Sequence, residues 1–346
     1  MPKRAEIQGT AYYVPQEVLT NAEIARCFPN WTEEKILFKL GIESRPIAAA
    51  DETSVDMGIK AAHKLFESGI CEPEDIDFLL LCTQTPDYVL PTSACLIHEA
   101  LGIPKSSGAL DFNLGCSGYI YGLSLCKGLI ETGTANKILF ITSETYSKFI
   151  NPGDRGSRPL FGDGAAATLI SAVETENEPT GPFVFGTDGS GADLLIVPAG
   201  GARTPKSPET ALEKEDGTGS VRSLEQLKMH GPGIFSFAID RVPATVDELL
   251  RKSGKSREDI NCYIFHQANK YMLDRLQELC GLKDTNYFNN MRKCGNTVSS
   301  SIPIAMTDAW NTGLLKANDT AMLVGFGVGL SWGATLVKLP QTFRTA

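Results

Sequence analysis

The stretch DFNLGCSGYIYGLSLCKGLIETG, residues 111–133, places Cys116 at the junction between two kinds of secondary structure. The residues GALDFNL before it have the pattern of a short buried strand, and those after Ser117 are typical of a helix. At a helix N-terminus the first backbone N–H groups lack partners within the helix and can donate to an oxyanion. The positive end of the helix dipole also favours a thiolate. This position therefore predicts that Cys116 is a nucleophile.

The helix that follows this cysteine is predicted to be buried. Ile120, Leu123 and Ile130 fall on one of its faces. Gly118 and Gly122 stand one turn apart, and two missing side chains let a neighbouring element approach closely. We therefore expect this helix to pack inside the protein.

Two long segments of the chain resemble each other, which indicates an internal duplication. LFESGICEPEDIDFLLLCTQ (65–84) and LRKSGKSREDINCYIFHQ (250–267) each have a helix end, a Ser-Gly stop, an acidic turn and a strand. Three further pairs follow in the same order: LDFNLGCSGY with YFNNMRKCGNTVSS, KILFITSE with TAMLVGFG, and GAAATLISA with WGATLVKL. Four matches in one order predict two βα-rich halves, with mostly parallel sheets covered by helices.

The polar run ETENEPTG marks the predicted boundary between the two halves. Residues 1–178 then form the half that carries the cysteine, and residues 179–346 form the other. Residues 200–228 are polar and rich in Gly and Pro, and they predict a long excursion that is either a mobile loop or a cover over a site.

Composition limits the partners of this chain. The formal net charge of −9 argues against nucleic acid or an anionic membrane as the partner of the whole surface. The sequence lacks both the roughly 18 to 20 apolar residues of a membrane span and the apolar run of a signal peptide. The nine cysteines form no CxxC pair and no Cys/His cluster at zinc-ligand spacing, so no metal is expected. We expect a cytoplasmic protein.

Two polar residues of the second half are placed to meet the cysteine of the first. His266 ends the strand CYIFH, and ligands gather where parallel strands end. Asn296 opens the segment equivalent to the one with Cys116, so the duplication relates their positions around one local axis. A proton carrier and an amide donor beside a thiol suit acyl transfer. A core histidine and a helix N-cap are the alternative interpretations of these two residues.

The chain resembles β-ketoacyl-acyl carrier protein synthase III, a thiolase-fold condensing enzyme, in blocks spread over nearly its whole length. The blocks are TAYYVPQEVLTNAEIA, GIESRPIAAADETSVDMGIKAA, GCSGY, DRGSRPLFGDGAAATL, FHQAN, GNTVSSSIP and GFGVGLSWGATLV. The resemblance implies an α/β thiolase-like fold with two duplicated halves in α-β-α-β-α layers. It also implies acyl transfer from a thioester onto Cys116, followed by decarboxylative Claisen condensation with a malonyl thioester to a β-ketoacyl product.

The resemblance assigns roles to individual residues. It implies Cys116 as the acylated nucleophile, with His266 and Asn296 as the donors that stabilise the enolate. Backbone N–H groups of Cys116 and Val328 would hold the tetrahedral oxyanion. The implied substrate-binding residues are Arg155, Phe161, Leu90 and Leu194. It further implies no metal and no organic cofactor, acyl-coenzyme A or acyl carrier protein as donor, and a homodimer in which Leu90 reaches the partner's channel.

Several positions depart from the pattern of this family, among them Val328, Lys35 and Leu90. Val328 replaces a glycine, and its β-branched side chain is expected to narrow the cavity. Lys35 stands where the family has a tryptophan that stacks on the adenine of coenzyme A, which argues against acetyl-coenzyme A as the primer. Leu90 stands where an aromatic residue often limits primer length, which predicts room for a longer or branched acyl group.

Three other functions remain open from the sequence. One is a specialised condensing enzyme or acyltransferase of secondary metabolism, which would pass the acyl group from a carrier protein to a different acceptor. Another is a papain-like protease, which shares the chain order Cys, His, Asn but has the signature C-G-[SA]-C-[WY], absent from GCSGY. The last is a non-catalytic subunit of a heterodimer, although such a subunit has no chemical need for all three polar residues.

Overall fold

The two halves of the chain form two β-sheets that are separated and covered by helices. The structure is a computed structural model that describes residues 1–28 and 30–346. In chain order the strands are β1 (Lys3–Tyr13), β2 (Glu17–Thr20), β3 (Ser44–Ile47), β4 (Phe78–Cys82), β5 (Gly108–Phe112), β6 (Lys137–Glu144), β7 (Gly164–Glu174), β8 (Thr180–Thr187), β9 (Leu195–Ile196), β10 (Lys214–Glu215), β11 (Val221–Arg222), β12 (Lys228–Met229), β13 (Cys262–Phe265), β14 (Tyr287–Phe288), β15 (Thr320–Gly327), β16 (Ser331–Lys338) and β17 (Arg344–Thr345). The helices are α1 (Asn21–Cys27), α2 (Glu33–Leu40), α3 (Ser54–Glu67), α4 (Ser93–Ala100), α5 (Gly118–Glu131), α6 (Gly231–Ser253), α7 (Lys270–Leu279) and α8 (Ser301–Asn311).

The strand order of the two sheets is the same. The first sheet has the order β17-β1-β7-β6-β4-β5, and the second has the order β14-β13-β15-β16-β8. The four pairs of segments that the sequence relates by duplication form β4 and β13, β5 and β14, β6 and β15, and β7 and β16. The two members of each pair occupy matching places in the two sheets. The predicted duplication is confirmed, with β17 as an addition at the edge of the first sheet.

The prediction of mostly parallel sheets is confirmed, since a single strand in each of these two sheets runs against the others. β4 runs parallel to β5 and β6, and β13 runs parallel to β14 and β15. However, β7 and β16 are antiparallel to both of their neighbours. The cause is the connection that precedes each of them, since a parallel pair needs a long crossover, which is usually a helix. Residues 328–330 are too few for a crossover, and residues 145–163 carry only the 3₁₀ turn Tyr146–Phe149.

The helices and sheets alternate in five layers. Helices α3 and α4 cover the outer face of the first sheet, α5 and α8 lie between the sheets, and α6 and α7 cover the outer face of the second. In the central core, Ile120 of α5 and Ile302 of α8 pack with Leu80 of β4 and Ile264 of β13. This is the predicted α-β-α-β-α layering of an α/β protein.

The change from one sheet to the other falls near the predicted boundary between halves. Strand β7 of the first sheet ends at Glu174, and β8 of the second begins at Thr180. Near the C-terminus Arg344 of β17 pairs with Gly9 of β1, so the last residues of the chain return to the first sheet. The division into residues 1–178 and 179–346 stays a prediction.

Helix α5 is packed as tightly as its two glycines predict. A Cβ atom added at Gly122 would lie 2.1 Å from Cζ of Phe140, and one added at Gly118 would lie 2.4 Å from Sγ of Cys82. Both distances are far below van der Waals contact, so only glycine lets α5 approach β4 and β6 this closely. Gly118, the first residue of α5, therefore determines how closely the start of this helix packs against β4.

We expect Gly122→Ala to destabilise the protein, because its methyl group overlaps the Phe140 ring. Overpacking of this kind typically lowers the free energy of unfolding by about 1–3 kcal/mol. Gly128→Ala is the matched control on the same helix, since nothing lies within 4 Å of its added Cβ. That change should raise the unfolding free energy by about 0.5–1 kcal/mol, because alanine loses less backbone entropy in a helix. Urea denaturation of both variants measures the difference, and equal effects would contradict the packing described for α5.

Within residues 1–28 and 30–346, no helix has the length and apolar character needed to cross a bilayer.

Candidate active site

Cys116, His266 and Asn296 line a single cavity of about 80 Å³. Cys116 precedes α5, His266 follows β13, and Asn296 precedes α8, so the cavity lies where elements of both halves meet. All three residues are buried, with 5%, 2% and 4% of their surface exposed. The other lining residues are Leu160, Phe161, Leu195, Met229, Gly231, Ile234, Ala268, Asn269, Met272, Phe326 and Gly327. The structure thus brings together the three polar residues that the sequence analysis selected.

Two backbone N–H groups surround the sulfur of Cys116. The N–H groups of Cys116 and Val328 lie close enough to Sγ for both to lower the pKa of the thiol. The end of β15 can come this close because residue 327 is glycine, whose added Cβ would lie 2.9 Å from the sulfur. The predicted pair of oxyanion donors therefore has a geometric basis at this position.

The expectation that the helix N-terminus favours a Cys116 thiolate is opposed by burial. Burial raises the pKa of Cys116 to about 12, and the carboxylate of Glu144 raises it further, against the two N–H groups that lower it. An anion without a nearby cation is disfavoured in a dry interior. The helix also begins at Gly118 with Ser117 as its N-cap, so the cysteine lies just before the first turn. The resting group is therefore a neutral thiol.

His266 is a neutral imidazole with one polar partner on each side. Its Nδ1 lies 2.7 Å from Oγ of Ser301, and its Nε2 lies 3.4 Å from Nδ2 of Asn296. Burial lowers the pKa of His266 to about 3, against a hydrogen bond with the Val298 backbone that raises it. At neutral pH a ring with this pKa is uncharged, and it has one N–H group that can donate a hydrogen bond.

Asn296 is held from both its side chain and its backbone. Its Oδ1 accepts the N–H of Val298 at 2.9 Å, which leaves Nδ2 facing His266. Its backbone pairs with the segment around Phe161, since the N–H of Gly162 donates to the Asn296 carbonyl at 3.0 Å and the N–H of Asn296 donates to the Leu160 carbonyl at 2.9 Å. The N-cap of α8 is Ser300, so the alternative interpretation of Asn296 as that cap is wrong.

The four predicted substrate-binding residues occupy different places. Phe161 lines the cavity. Leu194 does not, because it ends the 3₁₀ segment Gly189–Leu194 and its side chain packs against Gly191 and Gly233. The next residue, Leu195, lines the cavity instead.

The other two lie away from the cavity, and their predicted contacts stay predictions. Arg155 donates from Nη1 to the Thr218 carbonyl at 2.8 Å, on the excursion of residues 200–228. Leu90 is 79% exposed, next to the exposed Tyr88 and Val89.

The side chain of Val328 does not narrow the cavity as expected. Its Cγ1 lies against Gly115, at 2.8 Å from the position of an added Cβ there, and Val328 is not among the lining residues. The β-branched side chain points to the loop before the cysteine, while the backbone N–H faces the sulfur. A valine is therefore compatible with the oxyanion geometry.

Sequence reasoning missed three residues that shape this site. The Phe326 ring lies edge-on to the His266 ring, with centroids 5.5 Å apart, and lines the cavity. Ser301 bonds His266, and the carboxyl of Glu144 is buried beside the cysteine. The first two stand in the blocks GFGVG and GNTVSSSIP, which gave a signal in sequence, whereas Glu144 is the end of an ordinary strand pattern.

Among the described residues, no group of three or more His, Cys, Asp or Glu side chains is arranged to hold a metal ion.

Comparisons with known proteins agree with this geometry. The family described as 3-oxoacyl-[acyl-carrier-protein (ACP)] synthase III matches residues 110–189, and its C-terminal model matches residues 250–339. The β-ketoacyl-[acyl-carrier-protein] synthase III of Caldanaerobacter subterraneus is 36% identical over 334 residues, which cover 96% of this chain and 97% of that protein.

Solved structures with the same fold include close relatives. A crystal structure of a 3-oxoacyl-(acyl-carrier-protein) synthase III is 50% identical with a TM-score of 0.96, and the match covers 97% of this chain and 100% of that one. The 3-oxoacyl-(acyl-carrier protein) synthase from Burkholderia xenovorans is 32% identical with a TM-score of 0.90, over 100% and 98% of the two chains. From its sequence and its fold alike, this chain belongs to the β-ketoacyl-acyl carrier protein synthase III family of thiolase-fold condensing acyltransferases.

Proposed function

We propose that this protein loads an acyl group from a thioester onto Cys116 and then condenses it with a malonyl thioester to give a β-ketoacyl product. One observation carries the proposal. The thiol of Cys116 faces two backbone N–H groups in the same buried cavity that His266 and Asn296 line. A nucleophile, an oxyanion hole and a separate pair of donors are the parts that the two steps need.

In the first step the Cys116 sulfur attacks the carbonyl carbon of the acyl thioester. The N–H groups of Cys116 and Val328 hold the oxyanion that forms, and its collapse releases the carrier thiolate. Because burial keeps Cys116 protonated at rest, the proton on Sγ leaves during the attack, and the departing thiolate takes it up. The products are an acyl-cysteine and a free carrier thiol, so the step needs no other reactant.

In the second step the malonyl thioester loses carbon dioxide and leaves an enolate, whose charge lies on the thioester oxygen. Its carbanion attacks the acyl-cysteine carbonyl, and the tetrahedral intermediate again uses the N–H groups of Cys116 and Val328. Collapse expels the Cys116 thiolate, which regains a proton from water. The new carbon–carbon bond gives the β-ketoacyl thioester.

His266 and Asn296 would stabilise the enolate as two converging donors. The Ser301 hydroxyl can donate to Nδ1 of His266, which leaves the ring proton on Nε2. This Nε2 and Nδ2 of Asn296 lie 3.4 Å apart at the cavity wall, a spacing that allows one oxygen to accept from both. A neutral His266 suits this role, because the step needs a donor that stays in place and not a base.

The predicted partners follow from the two thioesters. Acyl-coenzyme A or acyl carrier protein would deliver the primer, with Arg155 toward the coenzyme A side, and the malonyl group would arrive as a thioester. Neither step requires a metal or an organic cofactor. The exposed segment Tyr88–Leu90, with residues 60%, 99% and 79% exposed, is the predicted homodimer contact, since such apolar patches mark interfaces.

Incubation with malonyl and acyl thioesters tests the proposed function. The protein should release carbon dioxide and form a β-ketoacyl thioester that mass spectrometry detects, and a panel of acyl-coenzyme A and acyl-carrier thioesters would identify the primer. The cavity of about 80 Å³ favours short acyl groups over the longer ones that Leu90 suggested. An acyl-enzyme that forms but passes its acyl group to another acceptor, without release of carbon dioxide, would support the acyltransferase of secondary metabolism instead.

A further inference from the structure

Glu144 is a buried carboxyl group to which the proposed mechanism gives no part. It ends β6 and has none of its surface exposed. Its Oε2 accepts the backbone N–H of Gln84 at 3.0 Å and lies 3.5 Å from Oγ1 of Thr85, and its Oε1 lies 2.7 Å from Oγ of Ser299. These partners are uncharged and come from both halves of the chain. A carboxyl group placed in this way joins the end of the first sheet to the segment that carries Asn296.

Burial decides the protonation of Glu144. Burial raises the pKa of Glu144 to about 8, with Asp163 raising it and its hydrogen bonds lowering it, so the group is largely neutral at pH 7. Oε2 accepts the Gln84 N–H, and the Ser299 hydroxyl donates to Oε1. The charge of Glu144, when it is ionised, raises the pKa of three further side chains, namely Cys82, Cys116 and Tyr146.

Ser299 follows a residue with an unfavourable backbone. Val298 has φ of 53°, in the left-handed region that a β-branched residue rarely adopts without support from its surroundings. The two residues that follow Val298 supply support, because Ser299 donates to Glu144 and Ser300 donates from Oγ to the Gly164 carbonyl at 3.1 Å. The Glu144 contact is thus one of the side-chain contacts that hold the turn.

The Val298 turn sets the direction of the Asn296 amide. In this turn the Val298 N–H points back at Oδ1 of Asn296, 2.9 Å away, and that contact leaves Nδ2 aimed at the cavity. The Val298 backbone also lies close enough to the His266 ring to raise its pKa. If the turn relaxed, both donors would lose their support, although Cys116 and its own N–H partners belong to other segments.

We propose that Glu144 is a positioning residue for the condensation half-reaction: through Ser299 it holds the Val298 turn that aims the Asn296 amide into the cavity. This inference rests on the proposed function for its consequence but on the contacts above for its geometry. The proposal predicts that loss of Glu144 slows condensation but not acylation, because the position of Cys116 does not depend on this turn.

Glu144→Ala and Glu144→Gln test the proposal as a pair. Alanine leaves Ser299 and the Gln84 N–H without their partner, and we expect condensation to fall about 100-fold, as for a misplaced catalytic group, while Cys116 acylation stays near the wild-type rate. Glutamine keeps the size of the neutral acid, and it can accept from the Gln84 N–H with its oxygen and donate to the Ser299 oxygen with its amide. It should keep condensation within about threefold of wild type, the scale of one neutral hydrogen bond. Intact mass follows acylation, and carbon dioxide release follows condensation.

Thr10→Val is the matched structural control. Thr10 of β1 and Thr307 of α8 are buried and their hydroxyls lie 2.8 Å apart, so this variant also breaks a hydrogen bond between the halves, but away from the cavity. It should leave both half-reactions unchanged. The proposal is overturned if Glu144→Ala slows acylation and condensation equally, if Glu144→Gln fails as badly as alanine, or if Thr10→Val gives the same pattern.

A crystal structure of the Glu144→Ala protein gives a readout that does not depend on activity. We expect Val298 to leave the left-handed region and Nδ2 of Asn296 to turn away from His266. A turn that stays in place refutes the positioning role, even if the protein condenses thioesters. Wild-type protein that makes no β-ketoacyl product would instead refute the proposed function, and the crystal structure would still decide the role of Glu144.

Discussion

Cys116→Ala is expected to abolish the covalent acyl adduct and to lower the rate of β-ketoacyl formation by at least about 10³-fold, as loss of a covalent nucleophile does. The reason is positional. Among the nine cysteines, Cys116 is the one that lines the cavity, and two N–H groups reach its sulfur. Intact mass after incubation with acyl thioesters measures the adduct, and product analysis measures the rate.

An exposed thiol supplies the control for this experiment. Cys95 is exposed, so a strong thioester could acylate it without any catalysis. Cys95→Ser should keep the full adduct and the full rate, whereas Cys116→Ala should lose both. Because burial raises the pKa of Cys116 to about 12, we also expect simple alkylating reagents to label Cys95 faster than Cys116. An acyl adduct that persists at the wild-type level on a protein carrying Cys116→Ala together with Cys27→Ser and Cys95→Ser, which removes the exposed thiols, would falsify the nucleophile assignment.

The fold could be predicted because its information is local and is repeated. The Ser-Gly stops, acidic turns and apolar strands of 65–84 and 250–267 specify the same elements twice, and the structure forms β4 and β13 from them. The direction of β7 and β16 could not be predicted in the same way. Whether β7 runs with or against β6 depends on the path of residues 145–163, and this segment has no periodic pattern that reveals its path.

The polar residues of the site could be predicted because each stands at the end of a strand pattern or at the start of a helix pattern. His266 and Asn296 were found in this way, and the structure places both at the cavity. Neighbouring side chains were harder to assign. Leu194 and Leu195 are equivalent in sequence, and only the turn at the end of the 3₁₀ segment decides which of them faces the cavity.

Electrostatics was the least predictable property of the site. A thiol before a helix predicts a low pKa, but the pKa depends on how much water and charge the completed fold leaves around the sulfur. The sequence shows neither the burial of Cys116 nor the approach of Glu144, whose strand KILFITSE looks like any buried strand. The burial of Cys116 and the nearness of Glu144 both result from the way the two sheets pack around the cavity.

Asn296→Ala is expected to keep Cys116 acylation and to lower malonyl decarboxylation by about 10²–10³-fold, as removal of one oxyanion donor does. The amide Nδ2 lies beside Nε2 of His266, away from the two N–H groups that serve the sulfur, so the variant removes a donor from one step only. Release of labelled carbon dioxide from a malonyl thioester measures the second step, and intact mass measures the first. Equal decarboxylation by wild type and variant would exclude this role of Asn296.

Asn296→Asp separates the donor from the turn that carries it. Aspartate keeps an oxygen for the Val298 N–H, so the turn remains, but it lacks the amide donor and should lose decarboxylation as alanine does.

The pH dependence of decarboxylation tests the role of His266. Burial lowers the pKa of His266 to about 3, so its ring stays neutral from about pH 5 to 7, and decarboxylation should show no inflection near 6.5, the ordinary pKa of histidine. An inflection there that disappears in His266→Asn would mean that the imidazole titrates during turnover, and His266 would then act as a base and not as a fixed donor.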